Sequence, residues 1–203
     1  MDQKTALKQL HAFRKKGGEI RLAAESWKSD YEILISTIMS ARTRDEVTIP
    51  VAEKLFKKYP NPNSLAKAPI QSVQKIIKPV NFYRNKSKNI INCAKALVSY
   101  HKSQVPHDFE KLIELPGVGR KTANVFLSEI GQDSIGVDTH VSYISQKVGW
   151  TKNKKPEKIE QDLKNLFPQK HWRHVNSTLV RFGKTHTSRK QKDALIKKIK
   201  KIK

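Results

Sequence analysis

Apolar residues recur along the chain with helical rather than alternating spacing. In "SDYEILISTIMSARTRDEV", Ser29 or Asp30 can cap a helix ahead of Tyr31, Ile33, Leu34, Ile35, Ile38 and Met39. That set is too broad for one helix face and predicts a mostly buried helix. "TIPVAEKLFKKY" continues with Val51, Leu55 and Phe56 at helical intervals until "YPNPNS" stops it. In "RNKSKNIINCAKALVSYHK", Ile90, Ile91, Ala94, Leu97 and Val98 repeat the i, i+3, i+4, i+7 pattern. Strand-like alternation is scarce, the joints are short, and neither a Gly/Ser-rich linker nor a clean repeat occurs. The pattern predicts an all-α protein.

Two segments add detail. The tail "QKDALIKKIKKIK" sets Leu195, Ile196, Ile199 and Ile202 along one side and lysines elsewhere. It predicts either a helix docked by its apolar face or a basic arm lying on a polyanion. "HDFEKLIELPGVGRKTANVFLSEI" reads as helix, turn, helix. Leu112, Ile113 and Leu115 close the first helix, Pro116 and Gly117 break it, and Val118-Gly119 turns the chain. From Lys121 the second helix packs Ala123, Val125, Phe126 and Leu127. Glycines at 117 and 119 permit positive φ and leave backbone amides bare of a Cβ. Amides just before a helix N-terminus can hold a phosphate oxygen without reading base sequence. On these residues alone, an anion site and a purely structural αα-turn are equally good readings.

Charge shifts that balance. The 203 residues carry 41 Lys and Arg against 18 Asp and Glu, a formal net charge of +23. Such a surface suits a polyanionic partner, because neutralised phosphates release condensed counterions. Nucleic acid is the leading class; a basic membrane-surface or ribosome-associated protein is the alternative. With 37% apolar residues the chain can build one large core or two small ones. No apolar run is long enough to predict a membrane span, and the N-terminal segment lacks a signal peptide's apolar core. A single cysteine, Cys93, allows neither an internal disulfide nor a multi-thiolate metal site and points to a reducing, intracellular setting.

"LPGVGRKTA", followed by "VDTHV" at residues 137–141, resembles the helix-hairpin-helix DNA glycosylase superfamily, in its endonuclease III branch. The second motif begins sixteen residues after Lys121. The likeness extends through "LISTIMSARTRD", "NFYRNKSKNI" and "LVRFGK", roughly residues 25 to 187. The resemblance implies a six-helix barrel lobe over 23–132, with its helix-hairpin-helix near 110–127. It also implies a second lobe, carrying Asp138, from 1–22 plus 133–203. The expected partner is double-stranded DNA with a damaged or mismatched base, bound between the lobes with the target nucleotide flipped out of the stack. A monomer in the cytoplasm or nucleoid, with no membrane association, goes with that expectation.

Residue by residue, the resemblance gives Lys121 the part of nucleophile. An amine attacking C1′ displaces the base and leaves a Schiff base, from which β-elimination cuts the 3′ phosphate; a water nucleophile stops at base removal. Attack needs the neutral amine, so Arg120 and the positive end of a helix are expected to depress the Lys121 pKa. Without the resemblance, Lys121 is one more solvated lysine. Asp138 matches the second catalytic residue, able to stabilise positive charge on the sugar or accept a proton from the lysine; it also suits a helix cap, and both roles can coexist. His140 is expected to be structural.

The DNA-binding set implied is Arg42, Phe82, Tyr83, Arg84 and Lys86, together with Gly117, Val118, Gly119 and Arg120 of the hairpin. Arg42 stands where many relatives have a glutamine that inserts beside the orphaned base. Phe82 falls at an apolar wedge position, where core packing is an equal reading. The largest departure is C-terminal. Relatives follow "RFG" with four cysteines holding a [4Fe-4S] cluster, whereas here "RFGKTHTSRKQKDALIKKIKKIK" has Thr187 near the first of them. No cluster and no other cofactor or metal is expected, since His171, His174 and His186 match no compact site. The tail helix is expected to take the cluster's place by packing on the second lobe, with its lysines extending the DNA surface. The activity implied is that of a bifunctional glycosylase and apurinic/apyrimidinic lyase for oxidised or otherwise damaged pyrimidines. The alternatives are a monofunctional T/G or U/G mismatch glycosylase and a non-enzymatic DNA-binding protein.

Overall fold

The computed structural model describes residues 1–203. It contains helices and no strand: α1 (Gln3–Lys16), α2 (Asp30–Ser40), α3 (Asp45–Lys58), α4 (Pro62–Ala66), α5 (Ile70–Ile77), α6 (Tyr83–Tyr100), α7 (Phe109–Ile113) and α8 (Arg120–Glu129). α9 (Thr139–Val148), α10 (Pro156–Leu166), a 3-10 turn (Gln169–His171), α11 (Trp172–Thr185) and α12 (Arg189–Lys200) follow. The chain divides into two compact units, Arg21–Ile130 and Met1–Ile20 with Gly131–Lys203. No helix is long and apolar enough to cross a membrane.

In the Arg21–Ile130 unit the central element is α2. Ser29 caps it by accepting from the Glu32 amide, and every residue from Tyr31 to Met39 except Glu32 is buried. The broad apolar set therefore meets neighbours on all sides, packing against α3, α6 and α8. Each fully buried Leu or Ile contributes about 1.5–3 kcal/mol relative to exposure, which is why this helix tolerates its β-branched content. Leu112 and Leu115 are buried as the hairpin pattern predicts, but Ile113 is 39% exposed. α7 is only five residues long, so one turn cannot bury Leu112, Ile113 and Leu115 on the same side.

The other unit is built around aromatic edges. Phe13 meets Trp150 and Phe182 at centroid distances of 5.6 and 4.8 Å, and Trp150 meets Phe167 at 4.9 Å, all T-shaped. α12 is docked, not an extended arm: Ile196 and Ile199 are buried, and it packs on α9 and α1. Two polar locks hold it there. Asp193 accepts from the Tyr143 hydroxyl and pairs with Lys147 at 3.5 Å. Gln9, fully buried, donates to the carbonyls of Lys200 and Ile202 near the end of α12, while its own oxygen accepts from the Trp150 indole at 2.7 Å. The carbonyl of Lys200, the last residue of the helix, and that of Ile202 just beyond it are satisfied in this way. Arg189, Lys190, Lys197, Lys198, Lys200, Lys201 and Lys203 remain exposed.

The residues present do not fit an iron-sulfur cluster. Such a cluster needs four thiolates or close substitutes, and Cys93 is buried in the core of the Arg21–Ile130 unit, where burial pushes its thiol up to about 12. No group of three or more His, Cys, Asp or Glu is arranged to hold a metal ion.

Candidate functional site

The hairpin between α7 and α8 is set by two glycines in different ways. Gly117 has φ +84, and a Cβ there would lie 2.8 Å from the Cβ of Asn89 on α6. Positive φ and close approach together require glycine. Gly119 departs from the expectation of positive φ: it is extended at φ −97 as the N-cap of α8, and a Cβ there would meet nothing within 4 Å. It leaves open space in front of a helix N-terminus. Val118 is also corrected, since its side chain is buried and its amide donates to Leu115 O. It anchors the turn, whereas the Gly117 and Gly119 amides make no hydrogen bond to the protein and stay available to an anion. Lys121 is the second residue of α8 and half-buried; Arg120 is exposed, its guanidinium 4.9 Å from the Phe109 ring.

A second cluster in the same unit is formed by two turns. Thr43 N donates to Ser40 O, with Ala41 at φ −54, ψ 117 and Arg42 at φ 56, which is a type II turn with arginine where glycine is usual. Tyr83 N donates to Val80 O, with Phe82 at φ 59 in the corresponding position. Each left-handed residue costs about 1–2 kcal/mol in local strain, and both side chains are exposed, Phe82 at 58%. Their cation and ring lie 5.8 Å apart. Exposure removes the core-packing reading of Phe82. Tyr83 and Arg84 follow on the first turn of α6, stacked on each other at 5.4 Å.

Lys86 does not join this face. It is 6% exposed, and its Nζ donates to Met39 O at 2.6 Å, Ala41 O at 2.5 Å and Thr43 Oγ1 at 3.1 Å. It occupies the C-terminal end of α2, where unsatisfied carbonyls favour a cation, and it cannot also reach a phosphate. Burial lowers its pKa to about 8. Asn81 adds two links between the turns: its side chain donates to Arg42 O and its amide to Thr43 Oγ1. Pattern reading missed these roles because a lysine beside Arg84 in a basic chain carries no mark of burial.

In the other unit, Asp138 is the N-cap of α9, its Oδ1 accepting from Val141 N at 2.9 Å. This leaves Oδ2 without a protein donor and the carboxylate half-exposed. Behind it, His140 packs so closely on α11 that a Cβ at Gly183 would fall 2.2 Å from the ring Nδ1. The glycine of "RFG" thus makes room for the histidine of "VDTH", a pairing that neither motif shows alone. His171, His174 and His186 form no common site. A surface cavity of about 830 Å³ lined by Tyr31, Asn61, Tyr100, His101 and His107 contains none of the candidate residues.

Residues 35–169 match the family described as HhH-GPD superfamily base excision DNA repair protein. The chain is 42% identical to Endonuclease III of Thermotoga maritima over 155 residues, 76% of this chain and 73% of the relative. It is 38% identical to Endonuclease III of a Synechocystis strain over 160 residues, 78% of this chain and 73% of that one. A solved structure described as a trapped Endonuclease III–DNA covalent intermediate superposes with a TM-score of 0.85 at 29% identity, covering 93% of this chain and 89% of that one.

Proposed function

The chain belongs to the HhH-GPD superfamily of base excision DNA repair proteins, and we propose that Lys121 and Asp138 carry its chemistry on damaged pyrimidines in duplex DNA. It is a base-excision glycosylase with AP-lyase activity. The Lys121 amine attacks C1′ of the extruded nucleotide; the N–C1′ bond forms as the glycosidic bond breaks, and the base leaves with a proton. The C1′–O4′ bond of the sugar ring then breaks, O4′ taking a proton as the C1′–N bond becomes double. The resulting Schiff base acidifies the 2′ hydrogen, whose removal expels the 3′ phosphate, and water then releases the sugar fragment. Asp138 stabilises the cationic sugar and accepts the proton that the attacking amine sheds. Its cap bond holds one oxygen in place and leaves the other to do this.

Gly117 and Gly119 present amides to a backbone phosphate while Arg120 supplies charge. Phe82 enters the stack at the kink, and Arg42 fills the space beside the orphaned base. Tyr83 and Arg84 line the same face, and the lysines of α12 add positive charge for the duplex. Such a substrate calls for residence in the nucleoid. The observation that carries the reading is Lys121 on the first turn of α8, directly behind a hairpin whose Gly117 and Gly119 amides are not bonded to the protein, in a chain similar to an enzyme trapped covalently on DNA.

Borohydride trapping tests it. Purified protein is incubated with a labelled duplex carrying thymine glycol and, separately, an abasic site. Adducts on both that vanish in Lys121→Ala are expected. Trapping only on the abasic site would move the lesion class away from oxidised pyrimidines, and an undiminished adduct in Lys121→Ala would remove that residue as nucleophile.

A further inference from the structure

Two exposed residues hold strained backbone side by side, so something must keep them there. The strain at Arg42 and Phe82 favours relaxation of both turns, and neither side chain is anchored by burial. The restraint comes from behind. Lys86 stands on α6 one turn beyond Phe82, and its ammonium reaches across to Met39 O, Ala41 O and Thr43 Oγ1. One of these is the last turn of α2, one is the residue before Arg42 and one is the residue after it. The helix that begins at Phe82 is thereby bolted to both sides of the turn that carries Arg42. Asn81 makes the same connection from the Phe82 turn. Asn89, one turn further along α6, is the residue on which Gly117 closes.

We propose that Lys86 is a positioning residue for base extrusion: its ammonium fixes the Arg42 turn against the start of α6, so that Arg42 and Phe82 reach the duplex as one preformed wedge. The inference rests on the reading of those two residues as the elements that enter the base stack. It converts Lys86 from a contact on the DNA face into the brace behind it. An ammonium suits the task because it offers three donors to three acceptors, and no carboxylate pairs with it to divert any of them. A methyl-terminated side chain of similar length fills the same space but takes the ammonium away from Met39 O and Ala41 O and leaves Thr43 Oγ1 with the Asn81 amide as its remaining donor.

The test compares Lys86→Met with Thr43→Val, a milder change that removes one acceptor and one Asn81 link. Arg42→Ala and Phe82→Ala report on the wedge itself. Folding is checked by thermal denaturation. Extrusion is read from 2-aminopurine fluorescence opposite thymine glycol, and chemistry from single-turnover rates on the paired lesion and on an abasic site in an unpaired bulge, which needs no extrusion. Lys86→Met is expected to lower excision of the paired lesion about tenfold or more, as small misplacements do, with extrusion falling in parallel and bulge cleavage unchanged. Thr43→Val is expected to show the same split more weakly, which also serves should Lys86→Met not fold. Wild-type extrusion in both brace variants while the wedge variants fail would overturn the proposal. Equal losses on paired and bulged substrates would reduce Lys86 to a structural residue. Wild-type behaviour in Arg42→Ala and Phe82→Ala would instead overturn the wedge reading, and the brace with it.

Discussion

The guanidinium of Arg42 lies 5.8 Å from the centroid of the Phe82 ring, and the two residues share left-handed backbone at φ 56 and 59. Each occupies a position where glycine would relieve strain, so stability and function should separate. In Phe82→Gly and Arg42→Gly the relief of about 1–2 kcal/mol offsets glycine's extra unfolded-state entropy, and Tm is expected to hold or rise. Excision of a paired lesion is expected to fall. A variant in which both declined together would show that these side chains support the fold, not the substrate.

The two hairpin glycines should respond oppositely to the same substitution. Gly117→Ala forces a Cβ onto Asn89 at positive φ and should cost about 2 kcal/mol or more in denaturant unfolding. Gly119→Ala meets open space at an ordinary φ and should leave stability near wild type while weakening duplex binding. Filter binding on undamaged DNA beside urea melts separates the two.

Gly183→Ala drives a methyl into the His140 ring, 2.2 Å from Nδ1. Overpacking of this kind costs about 1–3 kcal/mol. Because His140 sits two residues beyond Asp138, lyase turnover should fall as well. Adding His140→Ala should restore part of the stability and none of the turnover, a non-additivity that a double-mutant cycle measures.

Lys86 has a pH signature. Its pKa is about 8 when folded against an ordinary 10.5, so between those values the unfolded chain binds more protons and stability rises with pH. The cost of burying the charge is fully present below pH 8. The stability of wild type relative to Lys86→Met should therefore climb from about pH 8 to 10.5 and be flat at lower pH, as chemical denaturation across that range would reveal. A flat difference throughout would mean the three acceptors hold the proton despite burial.

The docked tail makes two separable predictions. Ile196→Ala or Ile199→Ala empties a buried site and should cost about 2–5 kcal/mol, lowering Tm without touching charge. Lys190, Lys197, Lys198 and Lys201→Gln together should leave Tm near wild type and flatten the salt dependence of DNA binding, by about 0.9 in log–log slope for each phosphate no longer neutralised. An unchanged slope would confine the DNA surface to the rest of the chain.

Much of this protein is legible in its sequence, because the features concerned are local. Helical period, Ser29 and Asp138 as caps, the break at Pro116-Gly117 and the excess of lysine all lie within a few residues of what they determine. The tail's apolar stripe was equally plain, but its two readings differed in whether a surface existed to receive it. Gln9, some 190 residues away in the chain, decides that by donating to the carbonyls of Lys200 and Ile202 at and just past the end of α12.

The chain by itself determined an all-helical fold, a polyanion partner and the motif residues of a glycosylase, since periodicity, charge and short motifs survive in one dimension. Tertiary structure alone decided which cations face solvent. Lys86 and Arg84 are two residues apart in a helix and indistinguishable in charge, yet one is buried against the end of α2 and the other is exposed. The helical rotation between them turns neighbours onto different faces, and only the position of α2 tells which face is inside.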